Sequence, residues 1–220
     1  MKKSYLLLHS AVLFLGLSAV FGKLINLNEG LLTWYRVFFS AIFLFFVLKL
    51  FKVNNRIPFK EKFEIAKIGM LITLSWVFFY AGIKYSNISI GVVCYCVTSF
   101  FTAILEPLIN KKGFRLSEFL LSVLTILGIA LIFHFDTSYR LGIALGVISP
   151  IFYTLYSIYN KRLALRYDSK LINFYQMTGG TIGLGILLPL YLYFFPTKTV
   201  IPDLKNTVYC NNSILSKRRI

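Results

Sequence analysis

The sequence predicts an all-α, multi-pass transmembrane helix bundle of seven spans, and three observations carry that prediction. Hydrophobic side chains make up 57% of the 220 residues and charged ones 15%, against roughly 45–50% and about 25% in water-soluble domains. The apolar residues come in runs close to the roughly 20 that a helix needs to cross a hydrocarbon core of about 30 Å. The formal charge of +16 lies between those runs, whereas a nucleic-acid binder gathers its basic residues on one soluble face. Barrel strands are excluded by the runs being apolar on all sides, since such strands alternate apolar and polar over about 10 residues.

The runs cover residues 5–22, 31–48, 65–83, 88–110, 119–135, 141–160 and 171–195. The first follows Met1-Lys2-Lys3, a start shared with secretory signal peptides. Its 18 residues exceed the usual apolar stretch of about 7–15, and no Ala-x-Ala site follows, so a retained helix is expected. Counting Lys and Arg on alternate sides tests the remaining spans together. One side, shared with the amino terminus, holds 15; the other holds three, Lys23, Lys84 and Arg140. Cytoplasmic loops carry the basic excess, which places the amino terminus in the cytoplasm and the carboxy terminus outside.

Polar and aromatic residues inside the runs are the candidates for function. Arg36 lies five residues into the second span, roughly 7 Å from its end; it either serves a substrate site or snorkels to the interface. Glu106 precedes the helix-kinking Pro107 and is followed by Asn110, Lys111 and Lys112, so a relay role competes with an interfacial ion pair. Tyr95, Thr98, Ser99 and Thr102 in the fourth span, and Ser149, Tyr153, Tyr156 and Asn160 in the sixth, recur at helical spacing. They either line a pathway or bond helix to helix. Trp34 and Tyr35 fit an interfacial aromatic belt. Trp76 and Tyr80 sit deeper on one face and are the better contacts for an apolar substrate. Gly142-x-x-x-Gly146 and Gly179-x-x-x-Gly183 read as close-packing motifs.

Sliding the chain on itself by 138 residues pairs Phe14 with Phe152, Leu17 with Leu155 and Lys23 with Lys161. Two further residues of offset pair Leu31 with Leu171, Tyr35 with Tyr175 and Arg36 with Gln176. A repeat unit of five helices is odd in number, so its second copy enters the membrane inverted.

Residues 31–40 (LLTWYRVFFS) resemble the start of the second helix in EamA-type members of the drug/metabolite transporter superfamily. Residues 98–107 (TSFFTAILEP), 110–112 (NKK), 116–118 (LSE) and 127–132 (LGIALI) resemble that family's fourth helix, basic loop and fifth helix. The resemblance covers about residues 5–195. It implies ten helices in two inverted repeats, both termini cytoplasmic, and export or exchange of small metabolites. The expected organisation is a first repeat at 1–135, the first two helices of a second at 141–195, and a polar tail at 196–220. That tail holds no run able to span a bilayer, and a truncated or frameshifted, inactive copy is the expectation it raises.

The resulting expectation is a carrier in a bacterial inner membrane working by alternating access, with Arg36, Trp76, Tyr80, Tyr95, Ser99, Glu106, Tyr153, Tyr156 and Gln176 on the substrate pathway. Its expected partners are a small-molecule metabolite, the lipid bilayer and a second copy of the chain, and nucleic acid is not among them. No cofactor or metal is expected: no nucleotide-binding motif is present, His9 and His134 lie toward opposite faces, and Cys94, Cys96 and Cys210 lack ligand spacing. An enzyme is not expected, because no HExxH, intramembrane aspartate pair or Ser-His pair appears. A seven-helix receptor, or a membrane protein without transport activity, is the alternative, and the cytoplasmic amino terminus opposes the receptor.

Overall fold

The computed structural model describes residues 5–6, 9–10, 12–14, 16–18, 20, 25, 27–53, 57–111, 113–133 and 139–194. The positions from 5 to 20 among these are helical. Seven further helices follow: α1 (Glu29–Leu50), α2 (Phe59–Lys84), α3 (Ile88–Tyr95), α4 (Thr98–Asn110), α5 (Leu116–Phe133), α6 (Arg140–Ala164) and α7 (Ser169–Phe194). There is no strand among the described residues. The predicted helical bundle is therefore observed. Much of the first span, His134, Cys210 and the tail 196–220 lie outside the described residues.

Five helical stretches are long and apolar enough to cross a bilayer: α1, α2, Ile88–Asn110, α6 and α7. The fifth predicted span is the shorter apolar helix α5. The outward surface is what lipid requires and water forbids: Phe39, Phe43 and Phe46 on α1, and Leu120, Leu124, Leu127 and Leu131 on α5, are all exposed. A soluble monomer does not display apolar faces of this extent.

Short polar side chains set the helix starts. Asn28 accepts from the Gly30 N–H at 3.1 Å, Asn87 from Ile90 at 2.8 Å and Asp168 from Lys170 at 2.8 Å. Each satisfies a backbone donor that the first turn leaves open. Helix α2 begins at Phe59, six residues before the predicted span, because the charged turn around Lys60 and Glu61 continues the helix beyond the apolar run.

α2 is the hub of the bundle. It packs against both α6 and α7, while α1 packs against α7. Glycines allow the approach. A Cβ on Gly82 would stand 2.9 Å from the Gly146 Cα, and one on Gly142 would stand 2.6 Å from the Ser86 Cβ. On the other face, Gly69 lies against the backbone of Gln176, and Gly179 against Ala66. Both small-residue motifs of the sequence thus sit at helix contacts. Where α2 meets α6, the Ser149 hydroxyl donates to the Ser75 carbonyl at 2.8 Å.

The fourth span is broken. α3 stops at Tyr95 and α4 starts at Thr98, with turn bonds from Cys96 to Val93 and from Val97 to Cys94. A chain in hydrocarbon must satisfy the carbonyls that such a break releases. Local side chains do so: Thr98 donates to the Tyr95 carbonyl at 2.5 Å and Ser99 to the Cys96 carbonyl at 3.1 Å.

Candidate functional site

Val37, Ile72 and Met177 form a buried cluster near the middle of α1, α2 and α7. Beside it opens a cavity of about 570 Å³, within the range of small-molecule sites. The first half of the chain contributes Arg36, Trp76, Phe79, Tyr80 and Tyr95 to its wall, and the second half Tyr153, Tyr156, Asn173 and Met177. Phe14 and Ser18 close one flank.

Arg36 stands seven residues past the start of α1, roughly 10 Å along the axis. Its guanidinium lies 5.1 Å from the centre of the Trp76 ring and 5.2 Å from that of Tyr80. Such stacking suits a planar, weakly hydrated cation. The two rings are one helical turn apart on α2, so a single face presents both. Tyr80 is 1% exposed, and its hydroxyl meets that of Ser18 at 2.9 Å. Arg36 also borders a second cavity of about 400 Å³ with Leu17, Ile25 and Leu32. It therefore stands between the two spaces.

The opposite wall is phenolic. The Tyr95 and Tyr153 rings are 5.1 Å apart and those of Tyr153 and Tyr156 6.0 Å. Behind them Gln176, fully buried, donates to Asn160 at 2.9 Å and accepts from the Tyr156 hydroxyl at 3.4 Å. The polar face of α6 thus divides its work. Ser149 and Asn160 bond helix to helix, and Tyr153 and Tyr156 face the cavity.

The remaining sequence candidates lie elsewhere. Gln176 orients the wall from behind and is not part of the lining. Ser99 is exposed and borders a separate cleft with Ser122 and Thr125. Glu106 pairs with Lys161 at 3.0 Å, and Arg162 donates to Asn110 at 2.7 Å and to the Ile109 carbonyl at 3.0 Å. These contacts tie α4 to α6 at the basic end of the bundle. Trp34, read as part of an aromatic belt, reaches across to α7, where its indole N–H donates to the Thr181 carbonyl at 3.1 Å.

Two features escaped the sequence reading. Phe79 and Met177 complete the cavity wall, but an apolar residue in an apolar run gives no signal of facing a cavity. Glu29 is buried and accepts from the Tyr191 hydroxyl at 2.7 Å, beside an apolar pocket of about 350 Å³ lined by Leu74, Leu145 and Leu184. An acid just after the capping Asn28 was a legible helix start, but its partner lies 162 positions away. Among the described residues no group of three or more His, Cys, Asp or Glu could hold a metal ion.

At the basic end, outside the apolar runs, the Tyr167 hydroxyl donates to the Glu61 carboxylate. That hydrogen bond, then desolvation and the negative charge, raise the phenol above its ordinary value.

No curated protein and no solved structure matches the chain. The EamA-like transporter family matches residues 2–134, more than half of the chain and the whole of the part that supplies Arg36, Trp76, Tyr80 and Tyr95. With helices fit to cross a bilayer, an apolar outer surface and this match, the chain is a multi-pass membrane protein that belongs to the EamA-like transporter family.

Proposed function

We propose that the chain carries small metabolites out of, or in exchange across, a bacterial inner membrane by alternating access, with the Arg36 cavity as its substrate site. The carrying observation is the position of that cavity. Its wall is shared by the two parts of the chain, with Arg36, Trp76, Tyr80 and Tyr95 from the first and Tyr153, Tyr156, Asn173 and Met177 from the second. A substrate held there senses any rocking of one segment against the other, and inverted-repeat carriers work in this way. Arg36, Trp76, Tyr80, Tyr95, Tyr153 and Tyr156 contact the substrate in this reading, Gln176 positions Tyr156, and Glu106 with Lys161 fastens the inner end. Ser99 has no role in it. The amino terminus is cytoplasmic in this reading, which the distribution of 15 basic residues against three supports.

Export is the test. Cells producing the chain should release at least one metabolite faster than cells producing equal amounts of the Tyr153→Ala, Tyr156→Ala double variant, as compared by profiling of the medium. Identical profiles would sink the proposal.

A further inference from the structure

We infer that the central cavity selects organic monoanions: small molecules with one carboxylate-like group on an apolar or aromatic body. The inference rests on reading that cavity as the substrate site, and it names what the site takes.

Arg36 carries the argument. A guanidinium keeps its charge at every pH a protein survives, and a fixed charge at this depth is costly unless an opposite charge or water meets it. Among the described residues the ion pairs are Arg115–Glu118 and Lys161–Glu106, both at the basic end of the bundle. Among the described residues no Asp or Glu lines either cavity that Arg36 borders. The sequence before Glu29 contains none at all, so the first span cannot supply one. The Glu29 carboxylate is engaged by Tyr191. The Trp76 and Tyr80 rings offset only part of the lost hydration and leave the N–H fork without an anion.

An incoming carboxylate completes this arrangement with charge-assisted, bidentate bonds. Among the described lining residues Arg36 is the one cation, so it matches a single negative charge. Phe79, Tyr95, Tyr153 and Met177 offer ring faces and a thioether to the rest of the molecule, which suits an apolar or aromatic body better than a sugar or a polyphosphate. An ammonium group would meet the charge of Arg36 with no carboxylate among the described wall residues to hold it. Amines are therefore rejected and zwitterions disfavoured.

Three probes of one shape separate these cases: phenylpropionate, its neutral amide and the corresponding amine. Binding to the full chain in lipid nanodiscs is read from tryptophan emission, since Trp76 is one of only two tryptophans and lines the cavity. The acid should bind at least about tenfold more tightly than the amide, and the amine more weakly still. Arg36→Gln should bring the acid level with the amide. The wild-type chain gives the same answer without a variant: as pH falls through the titration of the ligand's own carboxyl group, affinity for the acid should drop to that of the amide while the amide is unmoved. Amide or amine binding as tightly as the acid would overturn the inference, as would no probe altering the emission. Counterflow of labelled probes in proteoliposomes reads the transport proposal separately. Selective binding of the acid without counterflow upholds the anion site and sinks transport. Counterflow of amide or amine without binding of the acid does the reverse.

Discussion

Lys111 ends α4 in the left-handed region, at φ 50° and ψ 40°, where a side chain costs about 1 kcal/mol relative to glycine. Lys111→Gly is expected to raise the thermal midpoint in detergent by roughly 2–4 °C, and a fall would show that the lysine makes a compensating contact. Ser149→Ala should lower stability by about 0.6 to 1.7 kcal/mol, the range for hydrogen bonds between helices in bilayers, as measured by denaturant titration in mixed micelles. At Tyr167 the sign of the pH dependence follows from the raised phenol. The bond to Glu61 contributes fully below the ordinary tyrosine value of about 10 and is lost as pH rises through the raised one. Tyr167→Phe should reduce that alkaline loss, visible as a smaller fall in melting midpoint than the parent chain shows as pH rises through the transition. Trp76 and Tyr80 were legible in the sequence because their spacing places them on one face. Ser99 was not separable from Tyr95, because hydroxyls in hydrocarbon bond their own preceding carbonyls whether or not they face a substrate.

At the scale of elements, glycine placement separates buried seams from lipid-facing surfaces. Gly69→Leu inserts a side chain into the contact between α2 and the Gln176 backbone, and overpacking of this kind costs about 1–3 kcal/mol or more. Gly128 on α5 has nothing within 4 Å of an added Cβ. Gly128→Ala should therefore be neutral or stabilising by up to about 1 kcal/mol, from helix propensity alone. Folded yield by size-exclusion chromatography compares the pair, and equal losses in both would contradict the packing described. Span positions and small-residue motifs were readable because bilayer thickness and helix pitch impose them. The break between α3 and α4 was not. Cys96 and Val97 are apolar like their neighbours, and the hydroxyls that permit the break also occur in continuous helices.

For the whole molecule, the basic asymmetry predicts a cytoplasmic amino terminus and a cytoplasmic connection between α1 and α2. A phosphatase active only outside should stay silent when fused after Lys52 and become active when fused after Lys84; the opposite pattern would invert the proposed orientation. Fold class was legible because composition and periodicity are properties of the chain alone. The cavity was only partly so. Its wall brings Arg36 beside α2 and faces it with α6 and α7, a convergence that depends on three-dimensional packing. Helical periodicity could place residues on faces but could not say which faces meet.

The glycine-lined face of α2 also bears on how the protein is made. The groove at Gly69 is filled by the backbone at Gln176, which leaves the ribosome about 100 residues later, roughly 5 to 20 s at ordinary elongation rates. Throughout that interval acyl chains or an insertion factor must occupy the vacant groove. Docking of α7 is then a displacement reaction, whose speed depends on how readily the temporary occupant leaves, and bilayer composition becomes a determinant of assembly yield.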